Sequence, residues 1–190
     1  MNAITYYVHS EHLWTDESQR ALIALWADSW KKQGWTVDVL TEDYIKSHPR
    51  FEAMNKAFNA MPTIYPRTYT VACWLRWLAA AKYASEHGGS VMLLDYDVIN
   101  YGFKPITDEL PPAKMSIISN EPTELFLGAV IGSSNQFNEM VETFAAQPVS
   151  EEHDFCKPHN HYHQDDLHFK AALKKWVFCH ENGDNPRSSS

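Results

Sequence analysis

The chain has 190 residues, is 44% hydrophobic and 13% aromatic, and carries a formal net charge of -8. This length and apolar content suffice for the core of one sizeable globular domain and exclude a disordered polypeptide. The acidic balance, with no basic stripe, argues against nucleic acid as a partner. A phosphate ligand could still bind if a divalent cation supplied the positive charge.

The ends of the chain and its cysteines bear on location. The N-terminus lacks the basic and long apolar regions of a signal peptide, and no apolar run approaches the ~20 residues of a membrane span. Cys73, Cys156 and Cys179 show no framework spacing, which is typical of reduced thiols. We expect a cytoplasmic protein without a transmembrane segment, with one domain over 1–180 and a flexible polar tail over 181–190.

The first elements alternate between strand and helix. Residues 4–8 are β-branched and aromatic, which predicts a strand, and apolar residues at helical spacing predict a helix over 17–32. Thr15 or Asp16 can cap that helix. Residues 36–40 alternate as a second strand. This β-α-β opening predicts a parallel pair of strands and an α/β fold.

The middle of the chain contains the most apolar elements. After a long connection with one short helix, Pro66 fits the start of an Ala-rich helix that ends near Glu86 and should be buried against the sheet. The apolar run Ser90–Leu94 predicts a strand covered on both faces. Further strands are predicted at 115–119, 126–131 and 176–179, and further helices at 136–146 and 167–173. The order predicts a single α/β domain with a mixed, mainly parallel sheet flanked by helices.

Asp95, Tyr96 and Asp97 follow the buried strand directly. On an extended chain, carboxylates two residues apart point the same way and repel each other. A divalent cation removes that conflict, because Mg²⁺ or Mn²⁺ takes carboxylate oxygens from protein and phosphate oxygens from substrate. Ligands of open α/β sheets bind at the carboxyl ends of strands, so the pair is suited to holding a diphosphate through a cation.

The stretch RWLAAAKYASEHGGSVMLLDYDV resembles the core signature of glycosyltransferases with the GT-A fold and an Asp-x-Asp motif. In that family an Arg-bearing helix runs into Gly-Gly, an apolar strand and the Asp-x-Asp pair. The resemblance implies a GT-A-like domain that moves a hexosyl group from a nucleotide-diphosphate sugar to the hydroxyl of a carbohydrate or other acceptor. It also implies Mn²⁺ or Mg²⁺ on Asp95 and Asp97. The sequence departs from the family at Cys73, where an Asp is often found three residues before the Arg.

The same resemblance implies the residues on the nucleotide side of the site. The first strand of the fold ends where the nucleoside lies, and a later strand that contains a Gly approaches the donor sugar. The Arg of the long helix has the alternative of pairing with a buried carboxylate, and the other positions could be core or surface residues. The resulting candidates are Tyr7, His9, Ser10, Arg76, Tyr96 and Gly128.

Two downstream features complete the resemblance. His163-Gln164-Asp165-Asp166-Leu167 is similar to the family's Asp-Gln-Asp-x-Leu motif, with His in place of the first Asp. It implies that Asp165 or Asp166 orients the donor sugar or acts as the catalytic base, although both also suit the first turn of a helix. His180 is expected to follow the last strand, where a C-terminal His completes the metal site in several members of the fold.

Other functions stay open at this point. Cys156, His159, His161 and His163 could bind zinc in a hydrolase, although the hydrolase ligand pattern ends in His where Asp166 stands. A nucleotidyltransferase would show a Gly-rich basic loop after the first strand, which is absent. The chain is short for the GT-A fold, so it could also be a non-catalytic relative that binds a nucleotide-sugar without turning it over.

Overall fold

The structure is a computed structural model that describes residues 1–10, 15–60, 66–105, 115–119, 128–146 and 177–181, with the backbone alone for 116–119 and 177–181. Within these residues the strands are β1 (Asn2–Tyr7), β2 (Thr36–Thr41), β3 (Ser90–Leu94), β4 (Met115–Ser119), β5 (Ala129–Ser133) and β6 (Val177–Glu181). The helices are α1 (Asp16–Lys32), α2 (Glu42–Ile45), α3 (Phe51–Ala60), α4 (Arg67–His87) and α5 (Ser134–Ala146).

The six strands form one mixed sheet in the order β2-β1-β3-β5-β4-β6. β1 is parallel to both β2 and β3, and β4 is parallel to β6, whereas β5 is antiparallel to β3 and to β4. Every strand except β5 therefore runs in the same direction. Their C-terminal ends meet at one edge of the sheet, called the carboxyl edge below. The predicted mixed, mainly parallel sheet is confirmed.

Side chains of β3 alternate between two cores, one on each face of the sheet. Val91 and Leu93 pack in the larger core with α3, α4 and α5, whereas Met92 and Leu94 pack in the smaller core with tryptophans of and after α1. All four are buried, as the apolar run predicted. The long helix α4 is also buried along most of its length, as its composition predicted.

Several element boundaries differ from those predicted. β5 begins at Ala129, and Gly128 lies in a turn before it. β6 extends through Glu181, so the expectation that His180 follows the last strand is wrong: His180 lies within the strand, opposite Ile118. α2 was not predicted. The predicted helix over 167–173 and the tail beyond Glu181 lie outside the described residues.

No helix in the described parts of the chain is both long and apolar enough to cross a membrane. The cytoplasmic location stays a prediction.

Candidate active site

Asp95 lies directly after β3 at the carboxyl edge, and its side chain meets α4. The alternation along β3 explains this contact, because Val91 and Leu93 face α4 and Asp95 continues their row. Arg76 Nη1 donates to Asp95 Oδ1 at 2.5 Å. The Arg76 side chain is 11% exposed and the Asp95 side chain 35% exposed, so the pair is partly shielded from solvent. Arg76 thus takes the carboxylate pairing that the sequence left open as its alternative.

The Asp-x-Asp segment turns where the sequence led us to expect an extended chain. Val98 N–H donates to the Asp95 carbonyl oxygen at 3.1 Å, which closes a turn over Tyr96 and Asp97. The Asp95 N–H donates to the Gly128 carbonyl oxygen at 2.9 Å, so the residue just before β5 holds the backbone of the first residue of the turn. Asp97 is exposed. The period-two argument therefore fails after Asp95, because the strand ends there.

Tyr96 connects the turn to the end of β1. Its ring makes an edge-to-face contact with the ring of Tyr7, with the centroids 6.0 Å apart and the planes at 85°. Burial raises the pKa of Tyr96, and the carboxylate of Asp97 raises it further. The hydroxyl of Tyr96 therefore stays protonated at neutral pH and can donate a hydrogen bond to a ligand.

A buried amide side chain on α1 fixes the segment that follows β1. Gln19 Nε2 donates to the Ser10 carbonyl oxygen at 3.0 Å, and Gln19 Oε1 accepts from Ser10 N–H at 3.4 Å. The same Nε2 lies 3.4 Å from His9 Nδ1. Gln19 is fully buried, whereas His9 is exposed. The backbone N–H and carbonyl oxygen of Ser10 are thus both hydrogen-bonded to the Gln19 side chain.

Asp16 is the centre of a polar network beside this segment. Its Oδ1 accepts from the Tyr7 hydroxyl at 3.3 Å and lies 3.4 Å from His9 Nδ1. Its Oδ2 accepts from Arg20 Nε at 2.7 Å. The hydrogen bond from Arg20 holds the pKa of Asp16 below its usual range. Two of the candidates from the end of the first strand, Tyr7 and His9, therefore lie against an ionised carboxylate.

Asp16 and Gln19 are site residues that sequence reasoning missed. Asp16 was weighed as a helix cap alone. Gln19 lies on the stripe that includes Leu22 and Trp26, where a polar residue interrupts an apolar face of the helix. A buried polar side chain needs a hydrogen-bond partner, so that interruption was the available signal.

The remaining candidates are less closely described. His180 lies on β6, three positions from β3 in the sheet, which at about 4.8 Å per spacing is about 14 Å. Asp165, Asp166 and the cluster formed by Cys156, His159, His161 and His163 lie outside the described residues. Their roles stay predictions.

The carboxylates at the carboxyl edge suit a hard divalent cation. No group of three or more His, Cys, Asp or Glu side chains with metal-binding geometry occurs in the ranges that the structure describes. Asp95 and Asp97 nevertheless supply two carboxylates to one turn, although Asp95 Oδ1 already accepts from Arg76, and Mg²⁺ or Mn²⁺ commonly uses such a partial set together with a substrate. These ions usually keep water and phosphate oxygens in their other positions. Carboxylates are the donor type that the cation implied by the resemblance prefers, and its binding here stays a prediction.

Comparison with known proteins supports the architecture. The structure is similar to one described as "Crystal structure of a glycosyltransferase involved in the glycosylation of the major capsid of PBCV-1", with a TM-score of 0.52 and 11% sequence identity over 95% of this chain and 80% of that chain. The likeness shows the fold alone. The chain therefore has a mixed α/β fold, with a mainly parallel sheet flanked by helices, that is similar to the fold of a solved glycosyltransferase. No protein family model matches the chain, and no curated protein matches it.

Proposed function

We propose that the chain is a metal-dependent glycosyltransferase that moves a hexosyl group from a nucleotide-diphosphate sugar to the hydroxyl of a carbohydrate or other acceptor. The observation that carries the proposal is the position of Asp95 and Asp97 in a turn at the carboxyl edge, directly after the interior strand β3. Ligands of open α/β sheets bind at that edge. The similarity to the fold of a solved glycosyltransferase agrees with the proposal.

Asp95 and Asp97 would hold Mn²⁺ or Mg²⁺, which when bound supplies Lewis-acid stabilisation for the diphosphate leaving group. Arg76 orients the Asp95 carboxylate and offsets one negative charge beside it. The Gly128 carbonyl holds the backbone of Asp95, so the start of the turn is set before a ligand arrives. Such preorganisation lowers the cost of binding, because less conformational freedom is lost.

The nucleoside would lie towards the end of β1, where the ring of Tyr7 contacts that of Tyr96 and where His9 and Ser10 follow Tyr7. The protonated Tyr96 hydroxyl is a donor at this place, and the aromatic pair offers apolar surface to a ring. We further propose Asp165 or Asp166 as the base or as the group that orients the donor sugar, and His180 as a further ligand of the cation.

A turnover assay tests this proposal. The protein is incubated with a panel of nucleotide-diphosphate sugars and simple sugar acceptors, with Mn²⁺ or with a chelator, and release of nucleoside diphosphate is measured. We expect wild type to release nucleoside diphosphate with Mn²⁺ and not with the chelator. Release by Asp97→Asn should be at least about a hundredfold slower, because the variant lacks a carboxylate that helps to position charge at the leaving group.

Asp43→Asn is the matched control. Asp43 is an exposed carboxylate of the short helix α2, it pairs with Lys46, and it lies outside the candidate site. It should keep the wild-type rate. Release that is independent of the cation, or unchanged in Asp97→Asn, would contradict the proposal. Cation-dependent binding with no release for any sugar would instead favour the non-catalytic relative.

A further inference from the structure

We propose that Asp16 reads the base of the donor nucleotide and selects guanine, so that the donor is a guanosine-diphosphate sugar. This inference rests on the proposed function. It concerns the polar network of Tyr7, His9, Asp16, Gln19 and Arg20, which is called the α1 network below. Neither the Asp-x-Asp resemblance nor the fold assigns a role to Asp16.

The α1 network lies beside the motif. The Tyr7 hydroxyl donates to Asp16 Oδ1 at 3.3 Å, and the ring of Tyr7 contacts the ring of Tyr96 inside the Asp-x-Asp turn. Tyr7 therefore reaches from the carboxylate of Asp16 to the turn that would hold the diphosphate. A nucleotide with its phosphates at that turn can place its base against Tyr7 and Asp16.

The charges at the start of α1 indicate which end of the nucleotide lies beside Asp16. The first turn of α1 carries the carboxylates of Asp16 and Glu17, and Arg20 offsets one of these two charges, so a negative charge remains that would repel a phosphate group. An uncharged base is not repelled in this way. The diphosphate accordingly lies at the cation and the base at α1.

The α1 network is built to hold its geometry. Gln19 is fully buried, yet its amide pairs with both backbone polar groups of Ser10 and approaches His9. The Ser10 hydroxyl is buried and has no hydrogen-bond partner among the described residues. Burying polar groups is costly unless they are paired, so the amide clamp fixes the segment next to Asp16 while the hydroxyl is left for a further partner.

Asp16 presents acceptors only. Its hydrogen bond from Arg20 lowers the pKa of the carboxyl, so Asp16 is ionised at neutral pH and cannot donate. A carboxylate has about four lone-pair positions, and Tyr7 and Arg20 take two of them. His9 Nδ1 also lies 3.4 Å from Asp16 Oδ1, but the same nitrogen lies 3.4 Å from Gln19 Nε2, which can only donate. With His9 Nδ1 accepting from Gln19, the remaining positions of Asp16 can accept two donors from one ligand.

Guanine is the base that matches such an acceptor pair. Its ring N1–H and its exocyclic amino group are adjacent donors on one edge. Uracil presents a single N–H between two carbonyl oxygens, which a carboxylate would repel. Cytosine and adenine each present an amino group next to a ring acceptor. A site of paired acceptors discriminates strongly against a ligand that leaves one of them unpaired.

Binding of four nucleoside diphosphates tests the inference. Dissociation constants for GDP, UDP, CDP and ADP are measured by calorimetry in Mn²⁺ for wild type, Asp16→Asn and Asp28→Asn. We expect GDP to bind best to wild type, and Asp16→Asn to raise the GDP dissociation constant about tenfold while the other three change less than about twofold. Asp28 is an exposed carboxylate on the same helix, and Asp28→Asn should leave all four constants as in wild type.

A second variant separates base reading from helix stability. Arg20→Gln removes the cation beside Asp16 but keeps the acceptor, so the preference for GDP should remain. Equal binding of the four nucleotides by wild type, a preference for another base, or an equal change of all four constants in Asp16→Asn would overturn the inference and leave the proposed function intact. Absence of any Mn²⁺-dependent binding by wild type would overturn both.

Discussion

At the scale of single residues, an ion pair between Arg76 and Asp95 holds the Asp95 carboxylate of the candidate site in the absence of a ligand. The two groups lie nineteen positions apart in sequence, on α4 and after β3, and meet because both face the larger core. The guanidinium is mostly shielded from solvent, so its charge is balanced by groups of the protein, and Asp95 is one of them. The ion pair between Arg76 and Asp95 therefore contributes to the stability of the fold as well as to the candidate site.

Arg76→Gln should destabilise the protein. It leaves the partly buried carboxylate of Asp95 without its cation, and removing one partner of a shielded pair costs more than the pair contributes. We expect a loss of about 1–3 kcal/mol in the free energy of unfolding. Urea denaturation followed by circular dichroism measures it.

The double variant Arg76→Gln with Asp95→Asn serves as the control for this prediction. Because the two charged groups pair with each other, the double variant should lose less stability than the sum of the losses in the two single variants. Strict additivity of the two single effects would show that the pair is not coupled.

At the scale of elements, the N-terminal caps of α1 and α2 predict different losses of stability when the cap residue is replaced. Thr15 caps α1, and its side chain accepts from Ser18 N–H at 3.2 Å. Thr41 occupies the same position before α2 but makes no side-chain cap hydrogen bond. Thr15→Ala should therefore lower the free energy of unfolding by about 1 kcal/mol, and Thr41→Ala by much less, as measured by thermal denaturation. Equal losses would contradict this account of the caps.

The start of α3 predicts a dependence of stability on pH. His48 Nδ1 accepts from Arg50 N–H at 3.1 Å, which requires the unprotonated nitrogen. Burial lowers the pKa of His48, and Lys82 and Arg50 lower it further, while Glu142 acts in the opposite direction. The unfolded chain thus binds this proton more readily, so stability is lost as pH falls below the ordinary His value of about 6.5.

Substitution of His48 isolates its contribution to the pH dependence of stability. Urea denaturation at pH 7.5 and at pH 5.5 should show a smaller loss of stability for His48→Gln than for wild type, because Gln cannot take up the proton. The same loss in both proteins would place the pH dependence in other groups.

Elements were predictable from sequence wherever apolar spacing was strong. The burial of β3 and α4 followed directly from their runs of apolar residues. The short helix α2 was missed because four residues give no periodicity. The strand placed at 126–131 begins only at Ala129, since the chain turns at Gly128 to approach Asp95. That contact is long-range, and no local pattern contains it.

At the scale of the whole molecule, the two cores account for most of the Trp-rich composition. Tryptophan side chains can serve ligand stacking as well as a core. In the described residues, the buried tryptophans are Trp26, Trp30, Trp35, Trp74 and Trp77. Trp30 and Trp35 also donate to the carbonyl oxygens of Val98 and Phe103, which ties the chain after the motif to the α1 side of the sheet.

Gly132 shows how closely the larger core is packed. A Cβ at this position would lie 3.0 Å from Phe137 Cε2 and 3.1 Å from Met115 Cε. Gly132→Ala should therefore lower the free energy of unfolding by about 1–2 kcal/mol through overpacking. A Cβ at Gly102 meets nothing within 4 Å, so Gly102→Ala should be within about 0.5 kcal/mol of wild type. Guanidinium denaturation of the two variants compares them, and equal stabilities would contradict tight packing at Gly132.

The site as a whole was predictable only in part. The Asp-x-Asp pair and the end of β1 were found from sequence, because each follows an apolar strand whose end could be located. The contacts Tyr7–Tyr96 and Asp16–His9 were not predicted, and pairing of Arg76 with a carboxylate was one of two alternatives, with no partner named. All three contacts depend on how α1 and α4 cross the sheet. Pattern reasoning fixes the elements but not the side chains that meet across them.

The central claim is that Asp95 and Asp97 together hold a cation with a nucleoside diphosphate. Calorimetric titration of GDP and UDP, each with Mn²⁺ and with a chelator, into wild type and the Asp95→Asn/Asp97→Asn double variant tests it most directly. We predict binding to wild type that requires Mn²⁺ and is lost in a double variant that keeps its circular dichroism spectrum. Equal Mn²⁺-dependent affinity in the two proteins, or binding to wild type that ignores the cation, would contradict the account.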